Sequence, residues 1–97
     1  MKIQEAVSIF KQYAEVEITE VRGPTKNSYW SILFESLPHR EMHPFIGYIT
    51  YYQNLKSKFA LYGAQNTHFH YFPSLEKAIE AYSREVEILI INRERRR

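Results

Sequence analysis

The sequence predicts an α+β fold, a single antiparallel meander sheet of four to five strands with N-terminal and C-terminal amphipathic helices packed on one face. Three observations carry that prediction. Apolar residues at both ends of the chain recur at helical spacing, the middle alternates with a period of two and is rich in aromatic and β-branched residues, and the stretches between are too short for parallel crossovers.

In residues 3–14, Ile3, Ala6, Val7, Phe10, Tyr13 and Ala14 fall on one stripe of a 3.6-residue period, which predicts a first helix. From Glu15 to Arg22 the pattern shortens to alternation with Val16, Ile18, Thr19 and Val21, and Gly23-Pro24 supplies a turn. This is a first strand. The run Tyr29 to Glu35 sends Trp30, Ile32 and Phe34 to one face of a second. Pro38 to Pro44 reads as a loop, because proline biases the residue before it away from helix and lacks a ladder donor. Phe45 to Gln53 and Lys58 to Tyr62 form a hairpin around the 54–57 turn, and Thr67 to Phe72 adds a last short strand after the turn at 63–66. Beyond Pro73, the spacing of Leu75, Ala78, Ile79, Tyr82, Val86, Leu89 and Ile90 is helical, with Ser74 as N-cap and Glu76 in the first turn. Residues 86–91 are also a good strand sequence, and the helix is read through them because no glycine ends it earlier.

With 97 residues, 44% hydrophobic and 15% aromatic, the chain is expected to form one domain over residues 1–97 with a basic tail at 93–97. There is no cysteine, so disulfides and thiolate metal sites are excluded and a reducing, cytoplasmic setting is the expectation. No signal-peptide core and no stretch of roughly 20 apolar residues appears, so no membrane partner is expected. A net charge of +2 says little about nucleic acid by itself, but Arg93, Arg95, Arg96 and Arg97 concentrate positive charge at the end.

His39-Arg40-Glu41-Met42-His43 is not the metalloprotease pattern, in which glutamate directly follows the first histidine on a helix. Two prolines also bracket a segment too short for such a helix. His68 and His70 would share one side of a strand, yet nothing in the sequence brings the two pairs together, and no metal, cofactor or small-molecule substrate is expected. With no cysteine, no Gly-x-Ser-x-Gly elbow and no glycine-rich phosphate loop, no enzymatic site is expected either.

The aromatic run is the candidate functional feature. Alternation puts Ile46, Tyr48, Thr50 and Tyr52 on one face and Phe45, Ile49 and Tyr51 on the other, with Lys58, Ala60 and Tyr62 sharing a face of the next strand. Tyrosine offers rigid contact area with a polar tip, which suits a protein interface and equally suits a solvated sheet surface stabilised by cross-strand pairs. The function expected is a small non-enzymatic binding protein, acting through a protein partner or self-association at Tyr48, Tyr52, Lys58, Tyr62, His68 and His70. By analogy, a small accessory or inhibitor protein of a mobile element would fit this profile. The alternative is nucleic-acid binding, with bases stacked on the same face and phosphates met by Lys56, Lys58, Arg93, Arg95, Arg96 and Arg97.

Overall fold

Alternation along the strands sorts their side chains onto two faces, and the computed structural model shows what covers each. It describes residues 1–24, 29–37, 45–52, 56, 58–63 and 69–95, with residue 93 by its backbone alone. The elements are α1 (Ile3–Phe10), β1 (Val16–Arg22), β2 (Trp30–Ser36), β3 (Ile46–Tyr51), β4 (Phe59–Tyr62), β5 (His70–Phe72) and α2 (Leu75–Arg95). The five strands lie in sequence order, each antiparallel to the next. The Pro38–Pro44 segment with His39 and His43, together with His68, Arg96 and Arg97, lies outside the described residues.

Both helices cover the same face. Phe34 of β2 is fully buried and touches the Phe10 ring of α1 at 4.9 Å and the Tyr82 ring of α2 at 4.6 Å, the latter edge-on. Around it, Trp30, Ile32, Ile49, Tyr51, Phe59 and Leu61 point from the sheet, while Ala6 and Phe10 meet them from α1 and Leu75, Ala78, Ile79, Tyr82 and Val86 from α2. Trp30 stacks on Tyr51 at 5.4 Å and donates its indole N–H to the Met1 carbonyl oxygen at 3.1 Å, so its one polar atom is satisfied.

Local chemistry explains the boundaries. α1 ends at Phe10, earlier than the 3–14 stripe predicts, because the chain winds through short turns (Gln12 N–H to Ile9 O, Tyr13 N–H to Phe10 O) to enter β1. Tyr13 still packs against the core from outside the helix. In β1 the register shifts between Ile18 and Glu20, a bulge at Thr19. That extra residue returns Val21, rather than Glu20, to the side of Val16 and Ile18, as its pairing with Ile32 shows. Ser74 caps α2 by accepting the Lys77 N–H at 3.3 Å. Residues 86–91 are helix, because Val86 continues the stripe buried by Ala78, Ile79 and Tyr82 and Leu89 and Ile90 carry it on against the core.

Tyr82 is fully buried and its hydroxyl donates to the Phe45 carbonyl oxygen. Burial drives its ionisation far above the ordinary tyrosine value. Tyr82→Phe removes that hydrogen bond and leaves the carbonyl to the Ser36 N–H, which it also accepts at 3.3 Å, so a loss of about 0.5–1.5 kcal/mol at neutral pH is expected. The same substitution should flatten the alkaline limb. Below about pH 10 the phenol is protonated in both states, whereas above it the unfolded chain releases a proton that the folded protein keeps. Stability therefore falls as pH rises, by up to about 1.4 kcal/mol per pH unit from this group. Urea denaturation from pH 7 to 11 should show a shallower fall in the variant.

Candidate functional site

The face away from the helices is built from cross-strand rows, since residues paired across an antiparallel ladder point the same way. One row runs Arg22, Ser31, Thr50, Ala60, Tyr71 across all five strands. The next runs Glu20, Leu33, Tyr48, Tyr62, and the third Glu17, Glu35, Ile46. Beyond the first, the Tyr52 N–H bonds the Lys58 carbonyl at 2.7 Å, which sets Tyr52 and Lys58 side by side.

Small residues make the floor of this face and aromatic residues its walls. Ser31, Thr50 and Ala60 are buried although no helix lies over them. The Ser31 hydroxyl is 3.1 Å from that of Thr50 and 3.2 Å from the Tyr48 phenol, so the three form a hydroxyl chain. Those bonds favour the Tyr48 phenolate and pull its ionisation below the ordinary tyrosine value. Tyr52 is pushed up, first by burial and then by the neighbouring Tyr48 and Tyr71. Phe69 joins the wall, 6.2 Å from the Tyr48 ring and 5.5 Å from that of Tyr62. Tyr62, Phe69, Tyr71 and Ile46 are 39%, 41%, 52% and 53% exposed, which makes a contiguous aromatic and apolar surface.

Charge is graded across the same face. Lys58 stands beyond the first row and Arg22 in it, while Glu20 stands in the next row and Glu17 and Glu35 in the third. Arg22 and Glu20 meet at 3.1 Å, a solvent-exposed pair of little energetic weight.

Of the sequence-predicted contact residues, Tyr48, Tyr52, Lys58 and Tyr62 come together here. His70 does not: it pairs with Leu61, a core residue, and so belongs to the helix side of the sheet edge. Phe69 and Tyr71 take the place read for His68 and His70. Period two makes residues 69 and 71 partners, but only the pairing of Tyr71 with Ala60 reveals that this pair faces away from the core. The residues read for nucleic-acid contact separate. Lys58 lies beside Tyr52 at the start of β4, whereas Arg95 ends α2, which starts beside β5 and extends about 30 Å from there. Among the described residues no group of three His, Cys, Asp or Glu side chains could hold a metal ion, and no helix is long and apolar enough to cross a membrane.

Compared with known proteins, the chain matches no family model, no curated protein and no solved structure. Its chemistry therefore rests on the face itself. That face presents aromatic area, phenolic donors and acceptors, and a charge gradient.

Proposed function

We propose that this chain is a small non-enzymatic binding protein that docks a protein partner on the open face of its sheet. The observation that carries this reading is the charge gradient over an aromatic surface. Glu17, Glu20 and Glu35 border the tyrosine wall, and carboxylates there oppose a phosphate backbone while they complement a basic edge on a folded partner. Tyr62, Phe69 and Tyr71 supply the central contact, since rigid aromatic side chains bury large area at low entropic cost.

The test is affinity capture with the full chain and with a Tyr62→Glu/Tyr71→Glu variant. Both positions are well exposed, so the variant should melt within a few degrees of the parent. A partner held by the parent and lost by the variant is the expected result, with affinity falling by at least about a hundredfold if the two tyrosines are hot spots. Equal capture by both removes the face from the contact. Fluorescence polarisation with single-stranded DNA and RNA at low salt should show no saturable binding at micromolar protein. Steeply salt-dependent binding that weakens on Lys56→Ala/Lys58→Ala would establish the nucleic-acid alternative instead.

A further inference from the structure

β1 ends the strand order of the sheet and pairs with β2 alone, so its other edge is open. The ladder fixes which main-chain groups lie along that edge. Ser36 donates its N–H to the Phe45 carbonyl and Leu37 to that of Glu15, so the odd-numbered residues from Ser31 to Leu37 bond β1 and the even-numbered ones bond β3. Glu17, Glu20 and Arg22, which pair with Glu35, Leu33 and Ser31, therefore turn their main-chain groups inward. Those of Ile18 and Val21 point out, and no hydrogen bond holds them there among the described residues. Val16 points out as well, but the Tyr13 carbonyl already takes its N–H at 3.3 Å. Beside this edge, on the helix side, lies a recess of about 320 Å³ lined by Val7, Phe10, Val16, Ile18 and Val21. Val21 is 46% exposed at it.

We infer that β1 pairs antiparallel with β1 of a second copy about a two-fold axis, with Ile18 opposite Val21 of the second copy and Glu17 opposite its Arg22. The strand is complementary to itself. Because of the bulge at Thr19, Val16 and Ile18 share the helix side with Val21, while Glu17 shares the open side with Glu20 and Arg22, so residues before Thr19 match residues beyond it in facing, as a two-fold axis requires. Two registers join like faces over most of the strand. One sets Val16 against Val21 and Glu17 against Glu20, which calls on the N–H that Tyr13 holds and opposes two carboxylates. The other is the register inferred. In it Ile18 and Val21 exchange both N–H···O bonds with their opposites, and Ile18 of the second copy covers the exposed Val21 beside the recess. Arg22 holds its own Glu20 through one guanidinium nitrogen at 3.1 Å, with 55% and 51% of the two side chains exposed, which leaves further donors for the Glu17 opposite. Charge here selects the register, and the main chain supplies the attraction. The inference uses the sheet edge and is independent of the open-face reading.

The chain contains no cysteine, so engineered ones report the register without competition. Glu17→Cys and Arg22→Cys are made as separate full-length variants; both positions are exposed, and circular dichroism melts check that each folds. Opposite each other in the inferred pairing, their Cα atoms are about 4.5 Å apart, within reach of a disulfide. Like positions of the two copies lie roughly 15 Å apart along the strands, too far for one. Mild oxidation of an equimolar mixture should therefore yield a disulfide-linked dimer, and oxidation of either variant alone should yield none. Sedimentation over a concentration series should show that the parent dimerises and that Val21→Pro, which loses an outward N–H and no ladder bond, dissociates at least about tenfold more readily. A parent that stays monomeric to millimolar concentration overturns the inference. A mixture that links no better than the single variants also overturns it, as does linking of Glu17→Cys to Glu20→Cys in preference to Arg22→Cys, which points to the other register.

Discussion

Phe34→Ala is expected to lower the unfolding free energy by about 3–5 kcal/mol, a large part of the roughly 5–15 kcal/mol typical of a small domain. The ring is fully buried and touches aromatic residues of both helices, Phe10 and Tyr82. Its removal loses the apolar transfer of a phenyl group and leaves a cavity bordered by the sheet and by both helices. Neither helix can close it without abandoning the other, so little relaxation should offset the loss. Guanidinium denaturation followed by tryptophan fluorescence reads the effect through Trp30, the single tryptophan. A loss below about 1 kcal/mol would mean that the site collapses and that Phe34 does not hold the helices to the sheet.

Gly47→Ala is expected to cost about 1–3 kcal/mol by overpacking the same site. Gly47 pairs directly with Phe34, and a Cβ added at Gly47 would lie 3.0 Å from Phe34 Cε1 and closer still to Cε2 and Cζ. The glycine is therefore required by the ring above it, not by its backbone, since no residue among those described has a positive φ. The two substitutions should couple. In the Phe34→Ala chain, Gly47→Ala is expected to be neutral or stabilising, because alanine no longer meets a ring and is favoured over glycine in a strand by about 0.5–1 kcal/mol. A double-mutant cycle measures this, and additive costs would show that the clash is relieved elsewhere.

That pair also shows where sequence reading stops. Gly47 falls within a strand pattern, where an isolated glycine signals a bulge or a close approach, but naming Phe34 as the approaching group needs the β2–β3 register. The same limit applies to the candidate site. Tyr48, Tyr52, Lys58 and Tyr62 were legible as one face because their strands are regular and their register is symmetrical about the hairpin. Phe69 and Tyr71 were not, because β5 is three residues long and its facing depends on which residue of β4 it meets. The separation of Lys58 from Arg95 depends on the direction in which α2 leaves the sheet, and no local pattern encodes that.

Sequence by itself determined the element order, the antiparallel meander, the apolar faces of both helices and of β2, and the absence of thiol chemistry, all of which follow from periodicity, chain length and residue type. Tertiary structure decided the early end of α1, the bulge that returns Val21 to the helix side of the sheet, the helical state of residues 86–91 and the facing of His70. Each of these depends on what a residue packs against across the chain. A period of two or of 3.6 specifies which side chains travel together, whereas the side that becomes the core is selected by the summed burial of all the elements.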